Sequence, residues 1–120
     1  MRPLMWFCAA LIFGGALACV FIYQSRVAVV SLEVAGRSDQ AQQNWSDSKQ
    51  LCEREGAGSR LPSVMELIGI YYWRDDLTLH PATDYWSNLV IANYAFGLNS
   101  RRGWLSFDRL NDEDHALCVR

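Results

Sequence analysis

From Pro3 to Tyr23 the chain carries no charged side chain, and 18 of these 21 residues are apolar or aromatic. A helix rising about 1.5 Å per residue crosses a hydrocarbon layer of about 30 Å with about 20 such residues. Trp6 and Tyr23 stand near the two ends, where amphipathic aromatics meet the membrane interface. The run therefore predicts a transmembrane anchor over residues 1–23. Two other readings fit the same letters. Ala16-Leu17-Ala18 has the small-x-small form of a signal-peptidase site, and Ala18-Cys19 resembles the end of a lipoprotein signal. The apolar run continues past both through Val20, Phe21, Ile22 and Tyr23. All three readings export the rest of the chain.

Gly14 with Ala18 and Gly15 with Cys19 are spaced four apart, so each pair shares a helix face on which a second helix could approach, and helix-mediated self-association is an expectation. Basic residues say little about orientation. Arg2 lies before the run, Arg26 and Arg37 after it, and Glu33 and Asp39 offset the latter pair.

Outside the run the composition is ordinary. The other 99 residues hold 43 apolar ones and all 24 formal charges. That suits one small domain rather than a disordered chain. Eleven Lys and Arg against thirteen Asp and Glu give a net charge of −2, which excludes a strongly basic nucleic-acid binder.

Residues 24–40 form a membrane-proximal strand or linker, with a β-branched stretch from Val27 to Val34 before Gly36 and a polar joint. From Ala41 the pattern becomes helical, with Trp45, Lys49 and Cys52 on one face and Gly56 and Gly58 as the stop. Pro62-Ser63 opens a second helix, because Ser63 and Glu66 have the spacing of a capping box. That helix runs to about Trp73 and buries Met65, Leu67, Ile68 and part of the stretch from Ile70 to Tyr72. After a loop holding His80 and Pro81 the period shortens. Tyr85-Trp86-Ser87, Val90 to Leu98, Trp104 to Leu110 and Ala116 to Arg120 read as strands, with a hairpin connection at Asn99–Gly103 and a turn at Asn111–Asp114. Two helices followed by an antiparallel meander make residues 41–120 an α+β domain.

The cysteines divide into two kinds. Cys8 and Cys19 lie in the apolar run, about 16 Å apart along one helix, so they are expected not to pair and to act as small apolar residues. Cys52 and Cys118 are the only two in the exported part. A bond between them closes a loop worth on the order of 4 kcal/mol and requires an oxidising compartment, whereas two buried free thiols are the alternative. No C-x-x-C pair exists, which argues against redox catalysis and tetrahedral zinc.

Trp45 and Cys52, then Arg60-Leu61-Pro62-Ser63 with Glu66-Leu67, Tyr85-Trp86-Ser87, Ala95 with Gly97, and Cys118-Val119-Arg120 follow one another in an order that resembles bacterial exported domains of largely unknown function with a C-type-lectin-like fold. That fold is shared with formylglycine-generating enzymes. The resemblance covers residues 41–120 and implies a Cys52–Cys118 bridge. The calcium-dependent sugar site of true C-type lectins uses a Glu-Pro-Asn or Gln-Pro-Asp triplet and a Trp-Asn-Asp strand. Only Asn111-Asp112 matches here, and the paired active-site cysteines of the formylglycine-generating enzymes have no counterpart.

Little else in the sequence carries chemistry. Asp108, Asp112, Glu113 and Asp114 are oxygen donors, but their spacing lacks the glycine and terminal glutamate of an EF-hand loop. His80 and His115 are single, with no nucleophile–base spacing. The expectation is therefore no metal, no cofactor and no enzyme. It is instead a single-pass protein of the bacterial inner membrane, held through residues 3–23, whose periplasmic domain contacts another membrane or periplasmic protein as an accessory or regulatory module. The alternative is an adhesive module in which Trp86, Asn88, Arg101, Arg102 and Trp104 bind a glycan or peptide.

Overall fold

A computed structural model of the chain describes residues 14–37, 42–77, 79 and 83–120. Residues 3–13 of the apolar run, with Trp6 and Cys8, lie outside them, as do His80 and Pro81. The described part is α+β, with helices α1 (Gly14–Ala28), α2 (Trp45–Arg54) and α3 (Val64–Trp73). Strands β1 (Val34–Arg37) and β5 (Leu117–Val119) form one antiparallel sheet, and β2 (Asp84–Ile91), β3 (Tyr94–Asn99) and β4 (Trp104–Arg109) form another in that order.

Helices α2 and α3 each begin at a side-chain cap, and α2 starts at Trp45 rather than near Ala41 because Gln43 pairs with Asp114 instead. Asn44 caps α2 by accepting from the Asp47 N–H at 2.9 Å. Ser63 and Glu66 form the reciprocal capping box of α3. Glu66 also takes a bidentate pair of hydrogen bonds from Arg60, at 2.6 and 2.9 Å. Burial alone raises the Glu66 carboxyl, but hydrogen bonds from Arg60 and Ser63 outweigh it and hold the group below its ordinary pKa.

Cys52 of α2 is bonded to Cys118 of β5, with Cα atoms 5.1 Å apart. The bridge sits in a core with Leu61, Trp86, Ala95 and Ala116, and a second core gathers Val29, Leu67, Ile70, Tyr85, Leu98 and Leu117. Strand β5 is held from both sides, by β1 and by the backbone of Arg60, which exchanges hydrogen bonds of 2.9 and 3.0 Å with Val119.

The structure corrects the sequence reading at several points. Only the end of the β-branched stretch after residue 26 is strand: α1 continues to Ala28, a turn follows, and β1 begins at Val34. The stretch Val90 to Leu98 is not one strand, because a two-residue turn at Ala92-Asn93, with Ala92 at φ 55°, splits it into β2 and β3. The last strand does not extend the meander; it pairs with β1. Cys19 is disulfide-bonded rather than a lone apolar residue. The 16 Å separation assumed one helix carrying both cysteines of the run, and α1 is described only from Gly14.

No helix among the described residues is long and apolar enough to cross a membrane. Helix α1 instead packs on α3. Ser25 and Val29 are buried, and a Cβ on Gly69 of α3 would collide with the Ser25 carbonyl and stand 2.6 Å from Val29 Cγ1. The Trp73 indole donates to the Ile22 carbonyl at 2.9 Å. Arg74 donates to the carbonyls of Val29 and Leu32 at 2.7 and 3.1 Å, satisfying acceptors just beyond the end of α1.

Candidate functional site

Two places stand apart from this well-matched packing. The first is an apolar groove of about 690 Å³ where α1, α3 and the meander meet. Phe21 of α1, Met65 and Ile68 of α3, Leu89 of β2, and Trp104 and Leu105 of β4 line it. Met65 and Ile68, expected in the core, are half-buried because they face the groove. Trp104 is 65% exposed. It follows the β3–β4 turn, where Gly103 adopts φ 73° and its N–H donates to the Asn99 carbonyl at 2.8 Å. A side chain at Gly103 would be strained by that φ and would collide with the Tyr71 ring.

Of the five binding residues expected from sequence, four are at the surface. Arg101, Arg102 and Asn88 are exposed, and the Arg102 guanidinium lies 5.6 Å from the Trp104 ring centre, as in a cation–π pair. Neither arginine forms an ion pair with a carboxylate among the described residues. Trp86 is a correction. It is 1% exposed, and its indole donates to the Gln43 carbonyl at 2.8 Å. The side chain is a core residue whose one polar atom is matched inside, so no ligand reaches it.

The second place is a corner where Asp84, Asp108 and Asp114 each bring a carboxylate oxygen within 4.8 Å of the others. The residues come from three segments. Asp84 opens β2, and Asp108 lies on β4 opposite Ala95 of β3. Asp114 belongs to a short extended stretch that pairs with Gln43 on one side and, through His115, with the start of β2 on the other. The His115 N–H donates to the Asp84 carbonyl at 2.9 Å, which seats Asp114 beside β2. His115, expected at a strand edge, is buried by the same pairing.

Among the described residues, the Asn99 amide gives Asp84 a hydrogen bond of 2.8 Å. Burial, then the neighbouring Asp108, Asp84 and Asp112, push the Asp114 carboxyl up to about 8. Burial and Asp108 also raise Asp84, against the Asn99 hydrogen bond. The sequence pointed to an acidic group at 108–114 but included Asp112 and Glu113, which are exposed, and omitted Asp84, whose partnership is purely tertiary.

No protein-family model and no curated protein matches this chain.

Proposed function

We propose that this chain is a non-catalytic interaction module with a C-type-lectin-like fold, exported from the bacterial cytoplasm and held at the inner membrane by its apolar N-terminal run. Its partner is an apolar segment of another membrane or periplasmic protein, received in the groove, with Arg101 and Arg102 meeting acidic residues beside that segment. The groove carries this reading. Leu89, Trp104 and Leu105 are all exposed along it, and so is Phe21 on the neighbouring helix. Contiguous exposed apolar surface of this kind marks interaction sites in soluble and membrane-bound proteins alike.

Further support comes from α1. Its inner face packs on α3, yet its outer face exposes Val20 and Val27. A helix apolar on both sides is expected to bury both, and a bilayer surface or a partner would cover the outer one. The Cys52–Cys118 bond favours an oxidising compartment and agrees with the pairing that the family resemblance implies.

Photocrosslinking in cells tests the reading. A photoreactive residue at Leu105 of the full-length protein should give one discrete membrane-protein adduct, lost with Leu89→Asp and with Arg101→Glu/Arg102→Glu. The same probe at Arg54, on exposed α2, should give none. Adducts only to lipid or to a second copy would overturn the partner assignment, and a glycan that competes at the site would favour the adhesive alternative. Alkaline phosphatase fused after residue 40 should be active; inactivity would overturn export.

A further inference from the structure

We propose that Asp84, Asp108 and Asp114 hold a divalent cation of calcium size, which ties β2 and β4 of the meander to the segment leading into β5. This inference does not depend on the partner reading.

The donor set is the right kind. Hard cations such as Ca²⁺ take carboxylate and carbonyl oxygens at about 2.3–2.6 Å. Three oxygens mutually within 4.8 Å can therefore all reach one such ion with little movement. Mg²⁺ needs oxygens at about 2.0–2.1 Å in a near-ideal octahedron, so the corner would have to contract.

An observation separate from the clustering also points to a ligand. Asp114 is 7% exposed, and its Oδ2 has no hydrogen-bond partner. The Oδ2 of Asp108 is likewise buried and unpartnered. Buried carboxylate oxygens are costly to leave unmatched and normally accept hydrogen bonds or coordinate a metal. No lysine or arginine forms an ion pair with any of the three among the described residues. A neutral donor stands close by. Gln43 exchanges backbone hydrogen bonds of 2.8 and 2.9 Å with Asp114, so their side chains leave the ladder on the same side, and Gln43 Oε1 is also buried without a partner.

Either a cation or shared protons can neutralise this corner, and the two differ in what they predict. The three aspartates also differ from Asn111-Asp112, the only part of a lectin sugar site that the sequence retains, so the cation would be structural. It would fix the angle between the meander and the disulfide-tied sheet.

The experiment is a titration of the full-length protein in detergent with Ca²⁺, followed by calorimetry, and with Tb³⁺, followed by luminescence excited through tyrosine and tryptophan; Tyr85 and Trp86 directly follow Asp84. One saturable site is expected, in the range of about 10⁻⁵ to 10⁻³ M for Ca²⁺. Asp108→Asn and Asp114→Asn should each weaken it by about tenfold or more, while Glu113→Gln, outside the trio, should change it by less than about twofold. Should a core variant fail to fold, Asp84→Asn and the wild-type melting temperature serve instead. The melting temperature must rise with Ca²⁺ and remain unmoved by equal ionic strength of NaCl. No binding up to about 10 mM Ca²⁺, an unmoved melting temperature, or an equal loss in Glu113→Gln would overturn the site and leave a proton-sharing cluster.

Discussion

The half of the molecule around Cys52–Cys118 and the half around Asp84, Asp108 and Asp114 handle buried polar groups in opposite ways. Around the bridge the carboxylate and the indoles are matched, and the buried groups left without a partner are the Ser48 and Ser59 hydroxyls, neutral and far less costly than a carboxylate. Glu66 is shared by Arg60 and Ser63, the Trp86 indole by Gln43, and the Trp45 indole by the Ser87 carbonyl at 2.9 Å. At the acidic corner three carboxylates face one another, and two of their oxygens have no donor. The first arrangement specifies a fold, whereas the second stores an unmet demand. Local rules that fail while the surroundings obey them mark the places where function is to be sought.

The sharpest way to break the satisfied half is to remove its covalent tie. The Cys52–Cys118 loop spans 66 residues, and the chain-entropy model gives it on the order of 4 kcal/mol. Replacing both cysteines by serine should lower the urea midpoint by a corresponding amount, large against the stability of a domain this small. A loss below about 1 kcal/mol would show that packing around Leu61 and Ala116 holds β5 without the bond.

Next in size is the joint between α1 and α3. Gly69→Val would drive a side chain into the Ser25 carbonyl and Val29, at a cost of about 1–3 kcal/mol if α1 stays docked. Undocking should instead appear as new protease cleavage after Arg26 with the rest of the domain intact. If α1 belongs to a membrane segment that only rests on the domain, the substitution should free it without lowering the melting temperature.

Glu66 and Asp114 then set the two halves against each other by pH. The folded-state pKa of Glu66 lies below its unfolded value, so its contribution is present above about pH 4 and is lost as pH falls through the folded pKa. For Asp114 the sign is reversed. Its folded pKa is raised to about 8, so its contribution is complete below about pH 4 and is lost as pH rises towards 8. Melting curves without divalent cations should therefore show Glu66→Gln flattening the acid limb and Asp114→Asn the neutral-to-alkaline limb. Added Ca²⁺ should restore stability at pH 8 to the wild type alone. Matching profiles for the two variants would dissolve the distinction between the halves.

How much of this could be read from residue order follows from the range of each interaction. The capping box and the hairpin at Asn99–Gly103 depend on residues within a few positions of one another, and both were legible. Helix α2, in contrast, starts at Trp45 rather than near Ala41 because Gln43 pairs with the distant Asp114. The Cys52–Cys118 pair was legible because no other cysteines follow the apolar run. The turn at Ala92-Asn93 carries no glycine, so the strand appeared continuous through it. Trp86 was taken as exposed because nothing local announces that its indole meets a carbonyl 43 residues earlier. The docking of α1 was hidden for a different reason, since an apolar face suits a bilayer and the flank of α3 equally well. The acidic corner was half visible: Asp108 and Asp114 were noticed, but Asp84 arrives through the pairing of His115 with the start of β2.

The smallest expected effect on stability is the one that isolates the groove. Trp104 is exposed, and its ring lies under the Arg102 guanidinium in a cation–π contact. Trp104→Ala should therefore shift stability by less than about 0.5 kcal/mol, as for other surface positions outside caps, cores and ion networks. A side chain of that size, rigid and amphipathic at the edge of an apolar groove, is the type that dominates binding energy when a partner covers it, with truncation costs of about 2 kcal/mol or more. The partner adduct at Leu105 should thus fall sharply in Trp104→Ala while the melting curve stays in place. Loss of both together would mean that Trp104 props the β3–β4 turn against Tyr71, and the groove would then belong with the satisfied half of the molecule.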